Sequence, residues 1–257
     1  MNAGLVSNLA HWAFGLMLVL ARVGGAMMLL PGIGESTPPA MLRAGLAGSI
    51  AMLLLPGLMP TMPMPPEAGL QAALMIGADV ATGIWFGWLA RTLVLALPVA
   101  GQFIAYAMGI SNVLQSDAEL GPQTTATATL FNAALPALVL ATGLYTLPLT
   151  ALGGLYRIIP PGALLPATDS LLSVLHAVTE SFALALRLAS PFVLASIVWH
   201  AGTGLMARFL PRLQVYFVAV PGQILGGLLL LASLAGALMS AWQEATRDGL
   251  AALPGAG

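Results

Sequence analysis

Apolar residues run along this chain in long blocks, with polar and helix-breaking residues gathered in the gaps between them. The first block covers residues 5 to 30, enough to cross about 30 Å of hydrocarbon as a helix. Pro31-Gly32 ends it, and Pro38-Pro39 delays a restart. A second block, residues 41 to 55, is opened by Arg43 and is short for a full crossing. Residues 56 to 66 carry five prolines and predict a semi-rigid connector that is neither helix nor central strand. The third block covers residues 70 to 97, and its apolar pattern resumes through Met108 after a kink at Pro98 and Gly101. The fourth covers residues 126 to 152, with bends expected at Pro136 and Pro148, and Tyr156-Arg157 reads as its interfacial end. Pro160-Pro161-Gly162 and Pro166 predict a turn. Thr168 or Asp169 is then expected to cap a helix whose body starts near Leu171, kinks at Pro191 and stops at Arg208. The last block starts near Val215, carries no charge until Glu244, and is expected to end at an interfacial Trp242 before a short, loose tail.

This pattern predicts an all-α membrane protein of five to six apolar, Pro/Gly-kinked helices arranged as helical hairpins. One membrane domain over residues 1 to 257 is expected. It divides into an N-terminal hairpin and Pro-rich connector (1–66), central helices with a polar loop at 109–125 (67–170), and a C-terminal hairpin and tail (171–257).

Composition strengthens the membrane reading. The chain is 59% hydrophobic and 7% charged, against about a quarter charged in an ordinary soluble domain. Eight arginines, no lysine and nine acids leave a net charge near zero, which argues against nucleic acid as a partner. Cysteine is absent, so disulfides and thiol chemistry are excluded. No basic residue precedes Arg22, so the first block reads as a retained helix rather than a signal peptide. The loop arginines Arg43, Arg157, Arg208, Arg212 and Arg247 divide too evenly to set an orientation.

Small residues recur four apart at Gly83 and Gly87, at Gly101, Ala105 and Gly109, at Gly222 and Gly226, and at Ala232, Gly236 and Ser240. In lipid such stripes let helix backbones approach closely, either inside one chain or between subunits. Arg208, Pro211 and Arg212 form a break that predicts a tight hairpin between the last two helices, with Pro221 in the second arm. The most polar stretch of the body holds Gly109, Ser111, Asn112, Gln115, Asp117, Glu119, Gly121 and Gln123. It reads either as a loop outside the bilayer or as backbone lining a cavity at membrane depth.

Catalytic chemistry finds little support. His11, His176 and His200 are scattered, and the pair His176 and Glu180 falls short of the three or four ligands a metal needs. No nucleophile elbow, P-loop or dinucleotide fingerprint occurs, and no cofactor is expected. Asp79 and Glu180 read as structural ion pairs, with Arg91 or Arg187 among the available cations, or as coupling acids of a small transporter. The transporter reading lacks an inverted repeat.

The order Gly204-Leu205, Arg208, Pro211, then Leu213-Gln214-Val215-Tyr216-Phe217, Pro221 and Gly226 resembles the C-terminal signature of the FliR/SctT family. Arg22, Pro31, Gly34, Pro38 and Arg43 are similar to its N-terminal pattern. Gly83, Gly87, Gly101-Gln102, Met108-Gly109, Asp117, Gly121 and Gln123 resemble its central one, and Pro160, Gly162, Pro191 and Gly204 follow in register. The chain departs from the family at Gln214 (usually Asn), at Gln223 (usually Lys or Arg), at Ala118-Glu119 (usually a proline after the aspartate) and at Leu144-Tyr145, where a histidine often follows the glycine. The resemblance implies a non-enzymatic subunit of the flagellar type III export gate in the bacterial inner membrane and flagellar basal body, or of its virulence-secretion counterpart. Implied partners are FliP- and FliQ-type subunits, FlhA- and FlhB-type export components, unfolded export substrates and membrane lipid. It also implies that the polar loop, residues 109 to 123, projects into the channel and helps plug it.

Overall fold

A computed structural model describes residues 3–34, 39–110, 125–209 and 215–256. Eight α-helices occupy them: α1 (Ala3–Met27), α2 (Ala40–Leu58, continued by a 3₁₀ turn at Met59–Thr61), α3 (Gly69–Val94), α4 (Ala96–Ala107), α5 (Ala126–Ala141), α6 (Thr146–Ile158), α7 (Ala167–Phe209) and α8 (Val215–Ala251). No strand occurs among the described residues. Among the described residues, five helical stretches are long and apolar enough to cross a membrane, or six if the bent pair α5 and α6 makes one span. The chain is therefore an all-α, multi-pass membrane protein.

Two compact units form. The first comprises Met1–Val94, Pro136–Val178 and Arg247–Gly257. Its core joins Leu18, Val19, Val23 and Ala26 of α1 to Phe86, Leu89 and Ala90 of α3, with Leu152 and Leu155 of α6, all fully buried. These positions recur three or four apart, so each helix turns one stripe inward. The second unit comprises Leu95–Leu135 and Thr179–Thr246. Its buried residues include Ala100 and Ile104 of α4, Leu135 of α5, and Ala185, Ala189 and Phe192 of α7. Hydrocarbon tails are as apolar as these side chains, so close packing and hydrogen bonds decide helix association more than transfer from water does.

Several sequence expectations are corrected. The proline-rich stretch is partly helical, since Pro56 lies inside α2 and Met59–Thr61 forms the 3₁₀ turn. Proline's fixed φ suits a helix, and its missing donor removes a single bond near the C-terminus. Leu55, Met59 and Met62 pack around Gly15 of α1 and hold this extension in place. The second segment thus reaches 22 residues, Ala40–Thr61, long enough to span. In the fourth segment the 70° bend falls at residues 142–145, where Gly143 has φ +71°, and not at the prolines. Pro148 sits in the first turn of α6, where the amide has no helical partner, and Pro136 lies inside α5 without breaking it. Pro98 does interrupt the third segment, one turn upstream, because its ring crowds the carbonyl four residues before it; α3 ends at that residue, Val94. Helix α7 starts at Ala167, so Thr168 and Asp169 lie in its first turn rather than at its cap. Helix α8 runs nine residues past Trp242, which is buried, not interfacial. The tail is packed as well: the backbone of Gly255, at φ +92°, lies on α6 at Ala151 and Gly154.

Candidate functional site

The first unit contains a glycine-lined seam and a buried charge. Where α1 crosses α3, a Cβ on Gly83 would overlap the Arg22 carbonyl oxygen, and one on Gly87 would stand 2.6 Å from the Ala26 oxygen. From the other side, a Cβ on Gly25 would stand 2.8 Å from the Val80 oxygen. The two backbones touch, and only hydrogen side chains permit it.

Beside this seam Arg22 is fully buried, as is Asp79 of α3. Arg22 donates from Nε to Asp79 Oδ1 at 2.7 Å, and its Nη2 contacts the same oxygen. Nη1 donates to the Ile159 carbonyl at 2.7 Å and Nη2 to the Pro160 carbonyl at 3.1 Å. The second carboxylate oxygen, Oδ2, accepts from the Gly162 amide at 2.9 Å. The Tyr156 ring lies under the guanidinium, 4.3 Å from Cζ to the ring centre, and is itself buried. A buried guanidinium offers five donors and tolerates no idle ones cheaply. Here two backbone carbonyls and a carboxylate take four of them. The loop after α6 supplies those carbonyls because Pro161 and Gly162, with φ +75°, make a tight turn closed by the Ala163 amide on the Pro160 oxygen. One ion pair thereby ties α1, α3 and this turn together.

In the second unit the C-terminus of α4 is closed by side chain and backbone together. Gly109 has φ +72°, and the Gln223 side chain of α8 donates from Nε2 to the Ala107 carbonyl at 2.9 Å. A cavity of about 260 Å³ opens beside Gln223, lined also by Met108, Phe192, Trp199 and Gly227.

Residues 13–249 match the sequence family described as bacterial export proteins, family 1. That match covers nearly the whole chain and both sites just described. The chain belongs to this family. Among its relatives, the flagellar biosynthetic protein FliR of Caulobacter vibrioides is 32% identical over 232 residues, covering 90% of this chain and 92% of the relative. FliR of Bacillus subtilis is 22% identical over 213 residues, 81% of each chain. The Yop proteins translocation protein T of Yersinia pestis is 25% identical over 207 residues, 79% of each. The resemblance to the FliR/SctT family read from the sequence is thus correct.

In this bacterial export protein the expected site residues fall in different places. Gly83 and Gly87 lie in the α1–α3 seam. Gly101 meets the Ala128 backbone and the Phe131 ring of α5, and Gly222 faces the Trp199 ring of α7. Gly109 sits at a left-handed helix terminus, where a Cβ would stand 3.3 Å from Gln223 Nε2 of α8. Gly226 and Gly236 are exposed, with nothing within 4 Å of where a Cβ would stand. Arg208 is exposed near the end of α7, and Pro221 is exposed inside α8. Pro211 and Arg212 lie outside the described residues, as do Ser111, Asn112, Gln115, Asp117, Glu119, Gly121 and Gln123. Asp79 does form a structural ion pair, but with Arg22 rather than Arg91. Asp79 and Arg91 share α3 and stand about 18 Å apart along its axis, too far to meet. Glu180 and Arg187 are both exposed and form no ion pair among the described residues. Sequence reading missed Tyr156, Gly25 and the Gln223 contact. A signal for the Arg22–Asp79 pair was present: both are charges inside apolar blocks, the first and the third, each needing a partner of opposite sign.

Proposed function

We propose that the chain is a subunit of the flagellar type III protein export gate in the bacterial inner membrane. With FliP- and FliQ-type subunits it forms a gated conduit for unfolded flagellar proteins, next to FlhA- and FlhB-type components. The reading is supported first by the family and by the Caulobacter relative, whose name is flagellar and whose match spans 92% of its length. The virulence-type counterpart is the second reading, favoured by the Yersinia relative at lower identity.

The observation that carries assembly is the length of exposed apolar surface. On α7, Leu171, Leu175, Phe182, Leu186, Val198 and Phe209 are all exposed. From Leu171 to Phe209 the helix contour is about 57 Å, against a hydrocarbon core of about 30 Å. Even tilted by about 40° it projects about 44 Å. Lipid alone leaves part of that surface in water, whereas neighbouring protein subunits cover it. Helix α8 adds to this: it is the most apolar stretch of the chain, and only 6% of its most apolar window is buried.

A conduit needs no catalytic group, and the energy for transport comes from other components. The transporter alternative requires an acid free to bind a coupling ion. Of its two candidate acids, Asp79 has both oxygens engaged by Arg22 and the Gly162 amide, which leaves exposed Glu180 alone for that role. In the gate reading the polar stretch, Gly109 to Gln123, serves as the plug. Shortening residues 112–119 is expected to raise ion leakage through the assembled complex, read as dissipation of a potential across vesicles that contain it. Leakage equal to the unaltered complex would count against the plug.

A further inference from the structure

Helix α4 ends in a closed backbone motif. The Ile110 amide donates to the Ala105 carbonyl and the Gly109 amide to the Tyr106 carbonyl, with Gly109 left-handed. This is the paired 6→1 and 5→2 arrangement that satisfies the orphan carbonyls of a helix end. It leaves the Ala107 carbonyl exposed at the negative end of the helix dipole. That oxygen is taken by a side chain from α8, 116 residues away: Gln223 Nε2, at 2.9 Å. One turn further along α8, Gly227 lets Met108 lie directly on the helix, since a Cβ there would stand 2.5 Å from Met108 Cγ. Gln223 and Gly227 are four apart, so a single face of α8 receives the last turn of α4. Ile110, where the polar stretch begins, is 6% exposed.

We propose that Gln223 is a positioning residue: its donated hydrogen bond clamps the end of α4 to α8 and fixes the point from which the polar stretch departs. The functional consequence rests on the plug reading above. The chemistry at Ala107 O asks for a donor, not specifically for an amide. A lysine or arginine supplies one with a charge favourable at a helix C-terminus, and the adjoining cavity of about 260 Å³ gives a longer side chain room. A glutamate has nearly the same shape as glutamine but offers a negative charge and no donor at neutral pH, so it repels the same oxygen. The clamp therefore orders the variants by donor and charge, whereas a packing role orders them by shape and favours Glu over Arg.

Hydrogen exchange at the Gly109 and Ile110 amides, measured on the full assembly in membranes, reports on this helix end without altering the contact. With Gln223 and with Gln223→Arg the rates are expected to agree within about twofold; Gln223→Leu speeds exchange about threefold, and Gln223→Glu about tenfold. Equal rates in all four, or slower exchange with Glu than with Arg, would overturn the clamp. Ion leakage in these variants answers the separate question: faster exchange without added leakage keeps the clamp and removes the plug.

Discussion

Glycines four apart mark two faces of this protein, and the two faces have opposite fates. On α3, Gly83 and Gly87 are pressed against the backbone of α1, and a buried ion pair sits beside them. On α8, Gly222 touches only the edge of the Trp199 ring, and its four-apart partner Gly226 has nothing within 4 Å of where a Cβ would stand, with Leu225 and Leu229 exposed beside it. The sequence signature is the same. What separates them is polar company. The α1–α3 seam has Arg22, Asp79 and the 159–162 turn, whose hydrogen bonds hold it shut within the chain. The outer face of α8 has no such partner among the described residues. Small residues permit close approach, but a polar anchor decides which approach the chain makes by itself.

The largest expected effect comes from filling the closed seam. In Gly83→Leu the Cβ meets a backbone carbonyl, which no rotamer change relieves. The loss is expected to exceed about 4 kcal/mol, in the range reserved for disrupted cores. It is read as disappearance of the folded monodisperse chain in mild detergent. Normal yield would mean that α1 and α3 can separate at little cost, and the contrast between the faces would fail.

Next comes the anchor. Arg22→Leu or Asp79→Leu alone leaves an uncompensated buried charge and is expected to cost about 3–5 kcal/mol. The double variant removes both charges, and much of that loss should return. Thermal unfolding in detergent measures all three. A double variant as unstable as the singles would show that the carbonyls of Ile159 and Pro160 and the Gly162 amide, rather than the charge balance, set the stability of the seam.

The smallest effect on the chain itself is expected at the open face. Gly236→Leu enters space, with nothing within 4 Å of its Cβ, and should change stability by no more than about 0.5 kcal/mol. It should nevertheless lower the yield of the assembled complex, because it thickens a surface offered to a neighbour. Unaltered assembly would assign the face to lipid.

The sequence carried the apolar blocks plainly, because a helix that meets lipid must satisfy its backbone internally and so writes its length in the chain. It overstated the proline-rich connector, which is partly helical. Pro56, Pro136, Pro191 and Pro221 all lie inside helices, where one lost hydrogen bond is tolerated. The break before α6 came instead from Gly143, whose positive φ only the backbone reveals. Contacts far apart in sequence were the least legible. Arg22 and Asp79 were each visible as unpaired intramembrane charges, yet 57 residues separate them and no local spacing joins them. Gln223 was visible only as a departure from a basic position, and its partner is a backbone oxygen, which carries no sequence mark. Trp242 was misplaced for a similar reason: an aromatic near a helix end reads as an anchor, and only packing shows that it is buried.

The central claim is that the open apolar faces belong to an assembly. Co-expression with FliP- and FliQ-type subunits, purification in mild detergent and native mass spectrometry test it most directly. The account predicts one stable complex containing a single copy of this chain. A chain that purifies alone as a homogeneous monomer or dimer, indifferent to those partners, would contradict it.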